Sequence, residues 1–221
     1  MIDIAFPNGK HNQIMIIDGL VEPALCKELL NFLKPVYSQV STTGQTMGGI
    51  ILSAKFSDDL SLARSTFENQ QIPYPSEIQT IEDTLVESLT VAIELYRQEF
   101  LGLADWELIQ DSGFQVQRYL KGRGFYRSHV DSFPATSSSN RVAAAIFYLN
   151  TVKDGGCTRF PLHDVSVSPR QGRLVLFPAT WTHLHEGRLP ISNDKWIIST
   201  FLLNKPFRNP HQDHPHDDHD H

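Results

Sequence analysis

Residues 141–150 read RVAAAIFYLN. After Arg141 the run is aliphatic and aromatic, with no charge before Asn150. Residues of this kind suit a pleated, buried surface, and a short run closed by turn-forming residues reads as a strand. Three further stretches share the pattern: FQVQRYLKG (114–122), RLVLFPATW (173–181) and KWIISTFLLN (195–204). Glycine, proline and aspartate separate them, so the chain beyond about residue 112 reads as consecutive strands.

Upstream the pattern changes. Residues 12–18, NQIMIID, read as a strand. Residues 22–34, EPALCKELLNFLK, read as a helix with Pro23 in its first turn and Leu25, Leu29, Phe32 and Leu33 on one face. The spacing over 39–76 suggests loops with short elements. Residues 76–100, SEIQTIEDTLVESLTVAIELYRQEF, carry apolar residues at helical spacing, and Ser76 and Gln79 stand at capping-box distance. Helices followed by a run of strands predict an α+β chain with a jelly-roll (double-stranded β-helix) core. On this reading 1–204 form a single domain, with 1–110 mainly helical support and 112–204 the core. Residues 205–221, ending in NPHQDHPHDDHDH, have almost nothing to bury and are expected to be a disordered His/Asp-rich tail.

With 221 residues the chain can bury a substantial core. Its net charge is −6 and its basic residues are scattered, which disfavours nucleic acid and anionic membrane as partners. No apolar run reaches the length of a membrane span, and the N-terminus has no signal-peptide pattern. Cys26 and Cys157 lie far apart and do not form a disulfide framework, so a reducing, cytoplasmic location is expected.

The stretch GFYRSHVDS (124–132) sets His129 and Asp131 two positions apart. Alternation along a strand would turn both to one face, where they could grip one atom together. A third ligand is available in FPATWTHLHEGRLP, which offers His183 and His185. Two imidazoles and one carboxylate suit a non-haem Fe(II) centre with open positions, although zinc accepts similar ligands.

The ordered blocks YLKGRGFYRSHVD, IFYLNTVKDGGCTRFP, GRLVLFP and HLHEGRLPISNDKW resemble the prolyl 4-hydroxylase-like branch of the 2-oxoglutarate/Fe(II)-dependent dioxygenases. The resemblance covers roughly residues 114–203. It implies a metal triad of His129, Asp131 and His185. The family's basic residue follows the distal histidine by ten positions, which selects His185 with Lys195 over His183 with Asn193. Lys195 would hold the distal carboxylate of 2-oxoglutarate, with Thr158 and Tyr119 hydrogen-bonding it. The resemblance further implies Fe(II), 2-oxoglutarate and O₂ as requirements, ascorbate as a candidate reductant, and release of succinate and CO₂ as a C–H bond is hydroxylated. A peptidyl proline, another protein side chain or a small metabolite could be the prime substrate.

Charge supports this set. A dication, one carboxylate and a dianionic keto acid leave one negative charge, which a buried lysine would cancel. His183 reads as a group supporting the site, Arg141 as a substrate contact or a sheet flank, and Trp181 and Trp196 as packing residues. The competing readings are a non-catalytic jelly-roll metal-binding or sensing module, and a zinc or nickel store built on the tail. Selectivity is expected in residues 132–140 and 42–50.

Overall fold

A computed structural model describes residues 2–35, 37–46, 48–71, 73–100, 109–132 and 140–204. The tail beyond 204 and most of the 132–140 segment lie outside the described residues, as does residue 47 within 42–50.

The chain opens with β1 (Asp3–Ala5) and β2 (Met15–Asp18), followed by α1 (Pro23–Leu33) and α2 (Tyr37–Val40). Strands β3 (Thr42–Thr43), β4 (Lys55–Phe56) and β5 (Asp58–Ser61) lead into α3 (Arg64–Asn69) and α4 (Ser76–Glu99). The rest is β6 (Ile109–Asp111), β7 (Gln115–Tyr119), β8 (Phe125–His129), β9 (Arg141–Tyr148), β10 (Thr158–Phe160), β11 (Val165–Val167), β12 (Leu174–Pro178), β13 (His185–Gly187) and β14 (Lys195–Asn204). These strands form two antiparallel sheets. The large one runs β1-β2-β12-β9-β14-β7-β5-β3, with β6 also on β14, and the small one runs β11-β10-β13-β8-β4.

Strand β9 shows why the jelly roll holds together. Ala143, Ala145 and Phe147 belong to one buried cluster, with Leu29 and Leu33 of α1 and Ile78, Ile81, Leu85, Leu89, Ala92 and Tyr96 of α4. The alternate residues Ala144, Ile146 and Tyr148 belong to a second cluster, with Phe160, Val165 and Val167 of the small sheet. A strand buried on both faces loses the polar alternation of a half-exposed one, which is why 142–149 is uniformly uncharged. Its alanines are small, as close packing between layers requires.

Beyond the strand expected at 12–18, which is β2, the N-terminal part adds β1, β3 and β5 to the large sheet and β4 to the small one. Two sequence expectations change. Ser76 is already helical, so it cannot act as an N-cap. Its Oγ bonds Glu77, Gln79 donates to Asp83, and no capping box forms. Trp196 packs on Tyr37, with ring centres 4.7 Å apart, but Trp181 is 77% exposed and is not a packing residue. The start of α1 at Pro23 is as expected, because the first helical turn has no use for the missing N–H.

Candidate active site

The site lies between the two sheets. Strands β8 and β13 pair so that His129 stands directly opposite His185. β8 ends at His129, and the chain then turns with the Asp131 N–H donating to Ala179 O at 3.1 Å. Asp131 therefore reaches the histidines from beyond the strand rather than by alternation along it. One ligand atom from each of His129, Asp131 and His185 lies within 4.8 Å of the others. His129 Nε2 is 3.5 Å from Asp131 Oδ1, and His185 Nε2 is 3.6 Å from Asp131 Oδ2.

Backbone carbonyls choose the tautomers. His129 Nδ1 lies 2.8 Å from Arg127 O, and His185 Nδ1 lies 3.0 Å from His183 O. A carbonyl only accepts, so both Nδ1 atoms donate, which leaves both Nε2 atoms turned toward Asp131 as the metal-facing nitrogens. Burial pushes the His185 imidazole down to about 4, so it is neutral at physiological pH. Burial of Asp131 favours its neutral form, but His185, His129 and Arg141 outweigh that and hold it below the ordinary carboxylate range. Two imidazoles and one carboxylate fit Fe(II) in donor type.

His183 serves a different purpose. Its Nε2 donates to Asn12 O at 2.7 Å, Thr182 Oγ1 bonds its Nδ1 at 2.9 Å, and its carbonyl orients His185. It ties the 3₁₀ turn Lys10–Asn12 to the strand bearing a metal-facing histidine.

The triad lines a cavity of about 260 Å³, whose walls also include Tyr119, Tyr126, Arg141, Thr158, Gly187 and Lys195. Lys195 is 1% exposed, opens β14 and stands opposite Tyr119 of β7. Its Nζ donates to Gly156 O at 3.1 Å and lies 4.3 Å from the centre of the Tyr119 ring. Among the described residues no ion pair engages it, and burial pushes its ammonium down to about 8. An unneutralised buried cation in a cavity calls for an anionic occupant. Across from it the Gly187 position lacks a side chain, and a Cβ there would sit 3.5 Å from Lys195 Nζ.

Thr158 is buried beside this space, and its Oγ1 accepts a hydrogen bond of 2.7 Å from Tyr148 Oη, which leaves the threonine proton free to donate. Tyr119 donates its hydroxyl to Gln117 Oε1 at 2.6 Å, so it offers Lys195 a ring face. Sequence reasoning missed Tyr148 and Gln117; the signal for Tyr148 was its place in the Tyr-Leu-Asn block, while Gln117 had none. Arg141 donates to the Asp131 carbonyl at 3.1 Å and stacks on Phe201 at 3.8 Å, so it flanks the sheet and lines the cavity at once. Among the described residues no helix is long and apolar enough to cross a membrane, and Cys26 and Cys157 are free thiols.

Comparison with known proteins supports the same reading. Residues 114–203 match the family model of the 2OG-Fe(II) oxygenase superfamily. The chain is 31% identical over 119 residues to probable prolyl 4-hydroxylase 9 of Arabidopsis thaliana, covering 42% of this chain and 41% of that protein. It spans less than half the length of the first curated relatives it matches. A viral collagen prolyl hydroxylase from Paramecium bursaria Chlorella virus-1, solved as its 2OG complex, superposes with a TM-score of 0.62 at 19% identity, covering 86% of this chain and 95% of that one. A Trichoplax adhaerens prolyl hydroxylase in complex with a peptide fragment of the hypoxia-inducible factor oxygen degradation domain superposes with a TM-score of 0.64 at 17% identity, covering 87% and 84%. The structural likenesses show a jelly-roll fold, and the matched core at 114–203 resembles the 2OG-Fe(II) oxygenase superfamily, with prolyl 4-hydroxylases among the similar proteins.

Proposed function

We propose that this protein is an Fe(II)- and 2-oxoglutarate-dependent dioxygenase that hydroxylates an unactivated C–H bond, with a peptidyl proline as the first substrate to test. The observation that carries the reading is one cavity holding both the three convergent ligand atoms and the buried Lys195 ammonium. A metal-binding or sensing module, or a metal store, has no use for a desolvated lysine beside its metal.

In this reading His129, Asp131 and His185 hold the iron, and Lys195 neutralises the distal carboxylate of 2-oxoglutarate. Thr158 donates its free proton to that carboxylate, and the Tyr119 ring keeps Lys195 in place. The bound iron and keto acid supply the oxidising chemistry, in which 2-oxoglutarate is decarboxylated to succinate as O₂ is reduced. The protein's share is orientation and exclusion. The two backbone carbonyls keep both imidazoles in the metal-binding tautomer. Phe160 and Phe177 flank His185 at 5.5 and 4.9 Å and keep water from its side of the cavity. The peptide complex of the Trichoplax relative supports a polypeptide substrate. Residues 1–204 acting as one domain with α1 and α4 bracing the large sheet, and a cytoplasmic location, belong to the same proposal.

The test is anaerobic titration with Fe(II) and 2-oxoglutarate, followed by succinate release against proline-containing peptides. A weak visible charge-transfer band on joint addition, abolished in His129→Ala, is expected. A band that survives that substitution would refute the ligand set.

A further inference from the structure

A buried charged pair links the two sheets beside the cavity, Lys55 on β4 of the small one and Asp59 on β5 of the large one. Lys55 opens β4, and its Nζ lies 2.6 Å from Asp59 Oδ2, with both side chains almost fully enclosed. Ser57 Oγ donates to the other Asp59 oxygen at 2.8 Å. Gly44 closes over this carboxylate: a Cβ there would fall 2.2 Å from Ser57 Oγ and 3.1 Å from each Asp59 oxygen. A buried ion pair adds little net stability, since apolar residues of similar volume often serve as well or better. Stability alone gives no reason for this one.

What the pair touches does give a reason. The β4·β8 register sets Lys55 opposite Tyr126, and Lys55 Nζ lies 5.0 Å from the centre of the Tyr126 ring. Tyr126 in turn stacks on the His129 imidazole, with centres 3.6 Å apart and planes 16° from parallel. His185 is wedged by two phenylalanines, whereas the His129 ring bonds a carbonyl two residues back, meets His185 at a tilt with centres 4.3 Å apart, faces Asp131 through Nε2, and has Tyr126 stacked flat against it. Among the described residues Tyr126 is the one ring parallel to His129, so its position bears directly on the plane of that imidazole. An ammonium over a desolvated aromatic face holds that ring more firmly than an apolar neighbour would.

We propose, resting on the oxygenase reading above, that Lys55, anchored by Asp59, is a positioning residue that presses Tyr126 against His129 and so aims His129 Nε2 at the metal. The row of contacts runs Asp59, Lys55, Tyr126, His129, and its last member is a ligand of the iron in that reading.

The test uses Co(II) alone as probe, without 2-oxoglutarate. Lys55→Met by itself strands a buried carboxylate and risks unfolding, so the pair is replaced together as Lys55→Met/Asp59→Leu. That variant, Tyr126→Leu, and the triple combination are compared with the unaltered protein by calorimetric titration and by the visible spectrum of bound Co(II). The pair variant is expected to keep its thermal midpoint, to bind Co(II) about tenfold more weakly, as when a group orienting a metal ligand is lost, and to shift the Co(II) spectrum. Tyr126→Leu is expected to do the same, and the triple variant to be no weaker than Tyr126→Leu, because both changes act through one ring. An unchanged spectrum and affinity in the pair variant would overturn the proposal, as would effects that simply add. Failure of the unaltered protein to bind Co(II) would overturn the oxygenase reading and this inference with it.

Discussion

Lys195→Met separates stability from function at one residue. In the free protein the Lys195 ammonium is buried with a carbonyl and a ring face as its partners. Its fall from 10.5 to about 8, at about 1.4 kcal/mol per tenfold, corresponds to a cost on the order of 3 kcal/mol for keeping the charge inside. Methionine keeps most of the stem and removes the charge, but leaves Gly156 O without its donor, which costs about 1 kcal/mol or more. The net expectation is a gain on the order of 1–2 kcal/mol in the stability of the ligand-free protein at pH 7. Below about pH 8 the lysine is charged in both folded and unfolded chains, so the full penalty applies. Between about 8 and 10.5 the folded chain has shed the proton that the unfolded chain still holds, and the penalty fades. The variant's advantage should therefore be largest at neutral pH and disappear as pH rises toward 10. Urea unfolding of both proteins from pH 7 to 10 measures this. Adding metal and 2-oxoglutarate should reverse the order, because ligand raises the stability of the native protein in proportion to its occupancy and the variant loses most of its affinity for the keto acid. A variant less stable at neutral pH, by an amount that does not change with pH, would refute the account of Lys195 as an unneutralised buried cation.

Four further outcomes are expected. His185→Ala should abolish metal binding in a calorimetric titration. His183→Ala should retain it while losing about 1–3 kcal/mol of folding stability, because Asn12 O is left buried and unbonded. Gly155→Ala should unfold at lower denaturant: φ there is +72° and a Cβ would lie 2.3 Å from Leu189 O, a strain of roughly 1–3 kcal/mol from the backbone alone. Deleting residues 209–221 should leave one metal site per chain by calorimetry, whereas a store built on the tail predicts the loss of all binding.

Local pattern carried part of this fold. The strands of the second half, the long helix at 76–100 and the start of α1 at Pro23 were legible, because periodicity and proline geometry are properties of neighbouring residues. The pairing of His129 with Asp131 was visible as a motif, and Lys195 as a spacing, although alternation was the wrong reason for the first, since Asp131 lies past the end of β8. The remaining contacts came from packing between elements distant in sequence. Strand register, which no local signal encodes, set His185 against His129, and the packing of two 3₁₀ turns brought the His183 side chain to Asn12. The β4·β8 register laid Lys55 over the ring that stacks on His129, packing of the two sheets brought Tyr148 to Thr158, and the Tyr119 hydroxyl went to Gln117 two residues back on its own strand. Trp181 looked like core by composition and is exposed, because the 3₁₀ turn Trp181–His183 aims His183 inward and leaves the tryptophan outside. Residue type states what a side chain can do, while the register of distant strands decides which partner it meets.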